Sequence, residues 1–212
     1  MGKIRQGILG GFSGKVGSVV GTSWKGRAVM KAMPLSVANP RTALQVKQRT
    51  RFRMATMLGS QLLSGIIKPL NDRFAGNISG VNAFVRRNIA NMDEATGLIQ
   101  DVQISAGRMI APVGLNMSQA DNAKIVVEWD NGIIDMFAMP TDRVFMSVVP
   151  SNPANGISIG REILGTTRDN SSAEILLDNM FESGESVIVS VAFLRADGTV
   201  VSNSSSITVV LA

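Results

Sequence analysis

The hydrophobic rhythm of the chain changes twice. Residues 1–26 carry eight glycines (Gly2, Gly7, Gly10, Gly11, Gly14, Gly17, Gly21 and Gly26) and no sustained apolar period. Glycine loses the most backbone entropy on ordering, and here no periodic burial offsets the loss. Residues 1 to about 14 therefore read as an arm, mobile alone and ordered by contact with another chain. The runs 16–24 and 27–32 read as two short strands joined at Trp24-Lys25-Gly26-Arg27, with Gly26 supplying a positive φ. A lone two-stranded hairpin is marginal in water, so this one is expected to pack on another domain or to extend a neighbour's sheet.

Pro34 and Pro40 bracket a linker. Asn39-Pro40-Arg41-Thr42 then reads as a helix start, with Asn39 or Thr42 as the cap. The spacing predicts a helix over 43–68, ended by Pro69. At about 100° per residue, Leu44, Phe52, Ala55, Leu62, Leu63 and Ile66 share one side, and Val46, Met54 and Met57 fall nearly opposite. Lys47 and Arg51 line one flank between these stripes, and Arg49 and Arg53 line the other. One apolar stripe suffices for a surface helix, so the second points to a partner chain or to cover by the N-terminal hairpin, unless Val46, Met54 and Met57 are simply covered by intramolecular packing. A shorter helix over 81–89 follows, and the polar stretch 91–97 reads as a domain junction.

Beyond it the pattern turns to strands: 99–104, 113–117, 125–129, 144–149, 157–164, 173–177, 187–194, 199–202 and 207–211. Asp130-Asn131-Gly132, Pro150-Ser151-Asn152-Pro153 and Asp197-Gly198 supply turns. That density of short strands predicts an antiparallel β-sandwich of the immunoglobulin or fibronectin kind, with Trp129 in its core. The predicted fold class is thus α+β. Residues 1–33 form a Gly-rich basic arm and β-hairpin, 34–97 a basic helical segment, and 98–212 an acidic sandwich.

Charge sharpens this division. Residues 1–90 hold fifteen cations against one carboxylate, Asp72, a net of +14, and residues 91–212 carry a net of −9. Two readings of the basic half stay open beside simple solubility: attraction to phosphate with release of counterions, or attraction to an acidic partner or the acidic half of a neighbouring copy. The candidate assembly or phosphate contacts are Lys3, Arg5, Lys15, Trp24, Lys25, Arg27, Arg41, Lys47, Arg49, Arg51, Arg53, Met54 and Met57.

The chain has no Cys, no His and no Tyr. It therefore lacks a thiolate nucleophile, an imidazole base, an imidazole metal ligand and any disulfide. The glycines at 10, 11 and 14 miss both the Walker spacing, which would need Gly and Ser/Thr where Leu9 and Val16 stand, and the dinucleotide fingerprint. Paired carboxylates such as Asp93-Glu94 and Glu182 with Glu185 lie in polar, turn-like stretches. With only Phe12 and Trp24 before Phe52, an aromatic RNA-stacking platform is not expected. No catalytic residue, metal site or cofactor is expected, and the chain reads as a non-enzyme. The N-terminus lacks the apolar run of a signal peptide, and no stretch approaches a membrane span.

Gly2-Lys3-Ile4-Arg5-Gln6-Gly7-Ile8-Leu9-Gly10-Gly11-Phe12-Ser13-Gly14-Lys15-Val16-Gly17, then Ser23-Trp24-Lys25-Gly26 and Asn39-Pro40-Arg41-Thr42, resemble an uncharacterised family of Bacteroidota and phage proteins. The resemblance is specific over about residues 2–53. It implies the same plan of N-terminal signature, helical segment and variable β-rich half, and it brings no catalytic residues. Its association with phages and prophages implies a structural protein of a virion, made in the bacterial cytoplasm. The expectation is an oligomeric ring or connector subunit near the head–tail junction, bound to its own copies and to other virion proteins, with its arm crossing onto a neighbour. The alternatives are a nucleic-acid-binding protein using the basic half, touching DNA, and a surface module binding through loops 150–155 and 168–172.

Overall fold

The computed structural model describes residues 2–3, 12–36, 38–121, 123–131, 136–152 and 156–212. By compactness the chain divides into Met1–Arg41 and Thr42–Ala212. In the first unit, β1 (Gly2–Lys3), β2 (Gly14–Val16), β3 (Val19–Trp24) and β4 (Arg27–Ala32) form an antiparallel sheet in the order β1-β4-β3-β2. The β3–β4 turn has positive φ at both Lys25 (49°) and Gly26 (74°), the twist that two-residue hairpin turns favour. The arm expected over 1–14 is corrected at its described ends. Gly2 and Lys3 pair with Met30 and Val29, and Gly14 pairs with Gly21, all within the same chain. Four strands satisfy backbone groups that two would leave at open edges. Residues 4–11 of that arm, Arg5 included, lie outside the described residues.

In the second unit, α1 (Ala43–Gln61) leads into a wide π-type helix, Leu63–Asp72, and then α2 (Gly80–Asn88). The Leu62 carbonyl accepts from both Ile66 N (3.1 Å) and Ile67 N (3.0 Å), which opens the wider turn. Pro69 therefore sits inside a helix rather than ending one. Its cost of about 3 kcal/mol is outweighed by burial of Ile66, Ile67 and Leu70, each contributing about 1.5–3 kcal/mol.

The sandwich pairs a three-stranded sheet, β5-β6-β9, with a four-stranded one, β11-β10-β7-β8. The strands are β5 (Val113–Ala120), β6 (Lys124–Asp130), β7 (Arg143–Pro150), β8 (Ile159–Thr167), β9 (Ser172–Leu176), β10 (Ser186–Leu194) and β11 (Ser205–Val210). Between the sheets lie Ile125, Val127, Trp129, Met146, Val148, Val189, Val191 and Phe193. Trp129 is 4% exposed, edge-on to Phe193 with centroids 5.5 Å apart, and its indole N–H donates to the Arg168 carbonyl at 2.9 Å.

A second core occupies the other face of the four-stranded sheet. Phe145, Val149, Ile188, Ala192 and Leu194 pack there with Leu58, Leu62, Ile66 and Phe84 of the helices. The expected boundary at residue 97 is thus not where the chain divides: the helices are the third layer of the sandwich unit. Burial on both faces is why β7 and β10 are apolar almost throughout. Helix and sheet meet backbone to backbone at Gly65 and Gly160. A Cβ on Gly65 would overlap the Gly160 carbonyl oxygen, and one on Gly160 would overlap Ile66 Cγ1.

Two expected strands are absent. Residues 99–104 and 199–202 form only isolated bridges. The backbone of the first is satisfied by the carbonyls of Ser151 and Asn91 at Ile99 and Gln100, and by side chains beyond them. Asn88 exchanges two bonds with Gln103 (2.7 and 2.9 Å), Asn71 donates to the Ile104 carbonyl (2.8 Å), and Ser190 donates to the Val102 carbonyl (2.8 Å).

Candidate functional site

Thr42 caps α1, its hydroxyl accepting from Gln45 N at 3.4 Å. From Ala55 onward the helix buries Ala55, Leu58 and Gly59. Its first eleven residues bury nothing. The stripe read from the sequence is therefore divided along its length rather than around it. Ala55, Leu62 and Ile66 are in the core, whereas Leu44 is 78% exposed and Phe52 53% exposed. On the opposite stripe, Val46 and Met57 are exposed and Met54 packs against the helix–sheet core.

Glu94 holds this exposed half of α1. Lys47 Nζ lies 3.1 Å from its Oε1, and Arg51 Nε donates to its Oε2. The turn carrying Glu94 is fixed by Asp93, which accepts from Ala95 N at 2.9 Å and from the Thr96 hydroxyl at 2.7 Å. The Glu94 carboxyl is held below the ordinary glutamate value, first by a bond to its own backbone N–H and then by Lys47 and Arg51. Lys47 and Arg51 thus meet a carboxylate of their own chain. Beside them Thr50, Arg53, Met54, Met57, Thr96, Gly97 and Asn152 line a cleft of about 390 Å³.

The other predicted contacts fall in the first unit. Lys15 is exposed on β2, and Arg27 is exposed on β4. Trp24 is 56% exposed with Lys25 Nζ 5.1 Å from its ring centroid. Lys3 occupies a β1 position opposite Val29, and Arg41 is exposed before the cap. Of the thirteen residues, six lie on α1 and seven lie in residues 1–41.

In the loop expected to bind at 168–172, Arg168 is turned inward while Asp169 and Asn170 are exposed. Arg168 is buried, with Nε 3.2 Å from Asp142 Oδ2, its guanidinium carbon 4.1 Å from the Phe193 ring centroid, and Nη2 donating to the Ile110 carbonyl at 3.2 Å. Burial pushes the Asp142 carboxyl above the ordinary aspartate value, against the pull of the Met139 N–H and Arg168. Residues 153–155 of the other loop lie outside the described residues. The sequence marks Glu94 only as one of a carboxylate pair and does not mark Asp142, because their roles depend on partners 43 to 47 and 26 residues away. Among the described residues, no three His, Cys, Asp or Glu side chains gather as a metal site, and no helix is long and apolar enough to cross a membrane.

A family model described as a family of unknown function (DUF6266) matches residues 11–208. No curated protein matches the chain. Among solved structures, one described as "Myokine structure" is 15% identical, covering 49% of this chain and 98% of that one at a TM-score of 0.37. Domains FN1–FN3 of chicken CNTN1 are 8% identical over 50% of this chain and 33% of that one, with a TM-score of 0.36. A computationally redesigned β-sandwich protein is 13% identical over 49% of this chain and 96% of that one, also with a TM-score of 0.36.

Proposed function

We propose that this chain, which belongs to the family of unknown function DUF6266, is a non-enzymatic assembly protein that docks through the exposed half of α1. The observation that carries the reading is the exposure of Leu44, Val46, Phe52 and Met57 on one helix, interleaved with Arg49 and Arg53. Aromatic, methionine and arginine side chains are the ones enriched at the centres of protein interfaces. Each large apolar side chain left in water forgoes about 25 cal/mol per Å² that a partner would recover.

The partners in this reading are further copies of the chain and other proteins of a phage particle, in a ring or connector near the head–tail junction. Its place is the virion, after synthesis in the bacterial cytoplasm. The N-terminal resemblance supports the particle, and the split of +14 and −9 supports head-to-tail contact between copies. The sandwich is read as fibronectin-like, from its three-on-four strand order. Recognition through its loops is the weaker reading, because Arg168 is turned into the core.

Native mass spectrometry of the full chain tests the assembly. Oligomers are expected, and Phe52→Asp with Met57→Asp should reduce them to monomer without loss of helix or strand signal by circular dichroism. A wild-type chain that stays monomeric at tens of micromolar protein, about where weak interfaces still associate, overturns the reading.

A further inference from the structure

We propose that one face of the N-terminal sheet binds the phosphate backbone of nucleic acid. This stands independently of docking through α1. In an antiparallel sheet, directly opposed residues share a face and successive residues alternate. The register therefore places Lys15, Val20 and Lys31 in one row across β2, β3 and β4. Thr22 and Val29, with the β1 position of Lys3, make the next row, in which Val29 is covered (3% exposed) and Thr22 half-buried, and Trp24 opposite Arg27 makes the third, so the open part of the face is its cationic margin. The other face receives Gly14, Val16, Val19, Gly21, Ala28, Met30 and Ala32, with Phe12 lying against Gly21. The strand pairing puts Lys15, Lys31 and Arg27 on one side.

Lys15, Arg27 and Lys31 are all exposed. Residues 1–41 hold seven cations and no carboxylate, so nothing in that unit can neutralise them. Among the described residues, none of the ion pairs uses Lys15, Arg27 or Lys31. Lys15 and Lys31 are two strand spacings apart, about 10 Å, and Lys31 and Arg27 are about 13 Å apart along β4. A run of phosphates can follow such a spread of point charges. Trp24 lies exposed at the end of the face, a flat surface on which a base can stack. Among the described residues the face shows no other large exposed apolar anchor, which favours a polyanionic backbone over an acidic protein. With one aromatic and no fork of base-reading side chains, binding should be indifferent to sequence.

The test is fluorescence anisotropy with the full chain and random-sequence DNA, single-stranded and duplex, longer than the ~16 nucleotides one small domain covers. Affinity is expected to fall steeply between about 50 and 200 mM salt. Lys15→Ala, Arg27→Ala and Lys31→Ala together should lower the log–log salt slope by nearly 3 on duplex, at about 0.9 for each phosphate no longer neutralised. Arg49→Ala with Arg53→Ala on α1 should leave that slope unchanged. Binding should alter tryptophan emission, and Trp24→Phe should abolish the change, since Trp129 is only 4% exposed. An unchanged oligomeric state of the triple variant separates this face from the assembly surface. The proposal is overturned by absence of binding at low salt, by a triple variant that binds like wild type, by an emission change that survives Trp24→Phe, or by polyglutamate binding as tightly as DNA.

Discussion

Arg168 is a buried cation whose neighbours are Asp142, the Ile110 carbonyl and the Phe193 ring. Removing one member of a buried pair leaves the other charged and without compensation, at about 3–5 kcal/mol. Asp142→Ala is accordingly expected to lower unfolding free energy by that amount in urea titrations, while Asp169→Ala, on the exposed neighbour, should change little. Equal stability of the two variants would show that the pair carries no weight. The Asp142 carboxyl titrates above the ordinary aspartate value in the fold. Its own titration therefore favours folding most below that ordinary value, and the contribution weakens as pH rises through the raised one.

At the scale of elements, α1 is energetically two helices. Its second half is pinned by Ala55 and Leu58, and its first half is held by Glu94 through Lys47 and Arg51. Glu94→Gln is expected to speed amide hydrogen exchange over residues 46–53 while leaving 55–61 protected, and a uniform response would show the helix to be one unit. Because the Glu94 carboxyl is depressed, its contribution is complete above the ordinary glutamate value, about 4.3, and is lost as pH falls through the lowered value. Faster exchange of the same amides on acidification should therefore mimic the substitution. The adjoining π-type segment meets β8 through Gly65 and Gly160: a Cβ on the first would meet the Gly160 backbone, and one on the second the Ile66 and Leu62 side chains. That approach brings the helices onto the sheet as a layer.

At the scale of the whole molecule, compactness changes between Arg41 and Thr42, and residues 38–49 are exposed. Limited trypsin digestion is expected to cut after Arg41 and to leave 42–212 intact by mass, because both cores lie entirely in that unit. A first stable cut near residue 97 would instead favour separate helical and sandwich domains.

Strand positions in the sandwich were legible because apolar runs bounded by turn residues report burial directly: seven of the nine expected strands occur, with Trp129 in the core. The hairpin turn at Lys25-Gly26 was legible because positive φ selects glycine locally. Leu44 and Leu62 illustrate the limit: they share a residue type and a helix face, yet one is 78% exposed and the other fully buried. Helical periodicity fixes angle around an axis and says nothing of where along it a partner sheet ends. Only tertiary packing decided that β7 and β10 are covered on both faces, that Pro69 lies within a helix, and that Lys47 and Arg51 face Glu94. Each depends on residues far apart in sequence meeting in space, and a one-dimensional pattern carries no trace of such meetings.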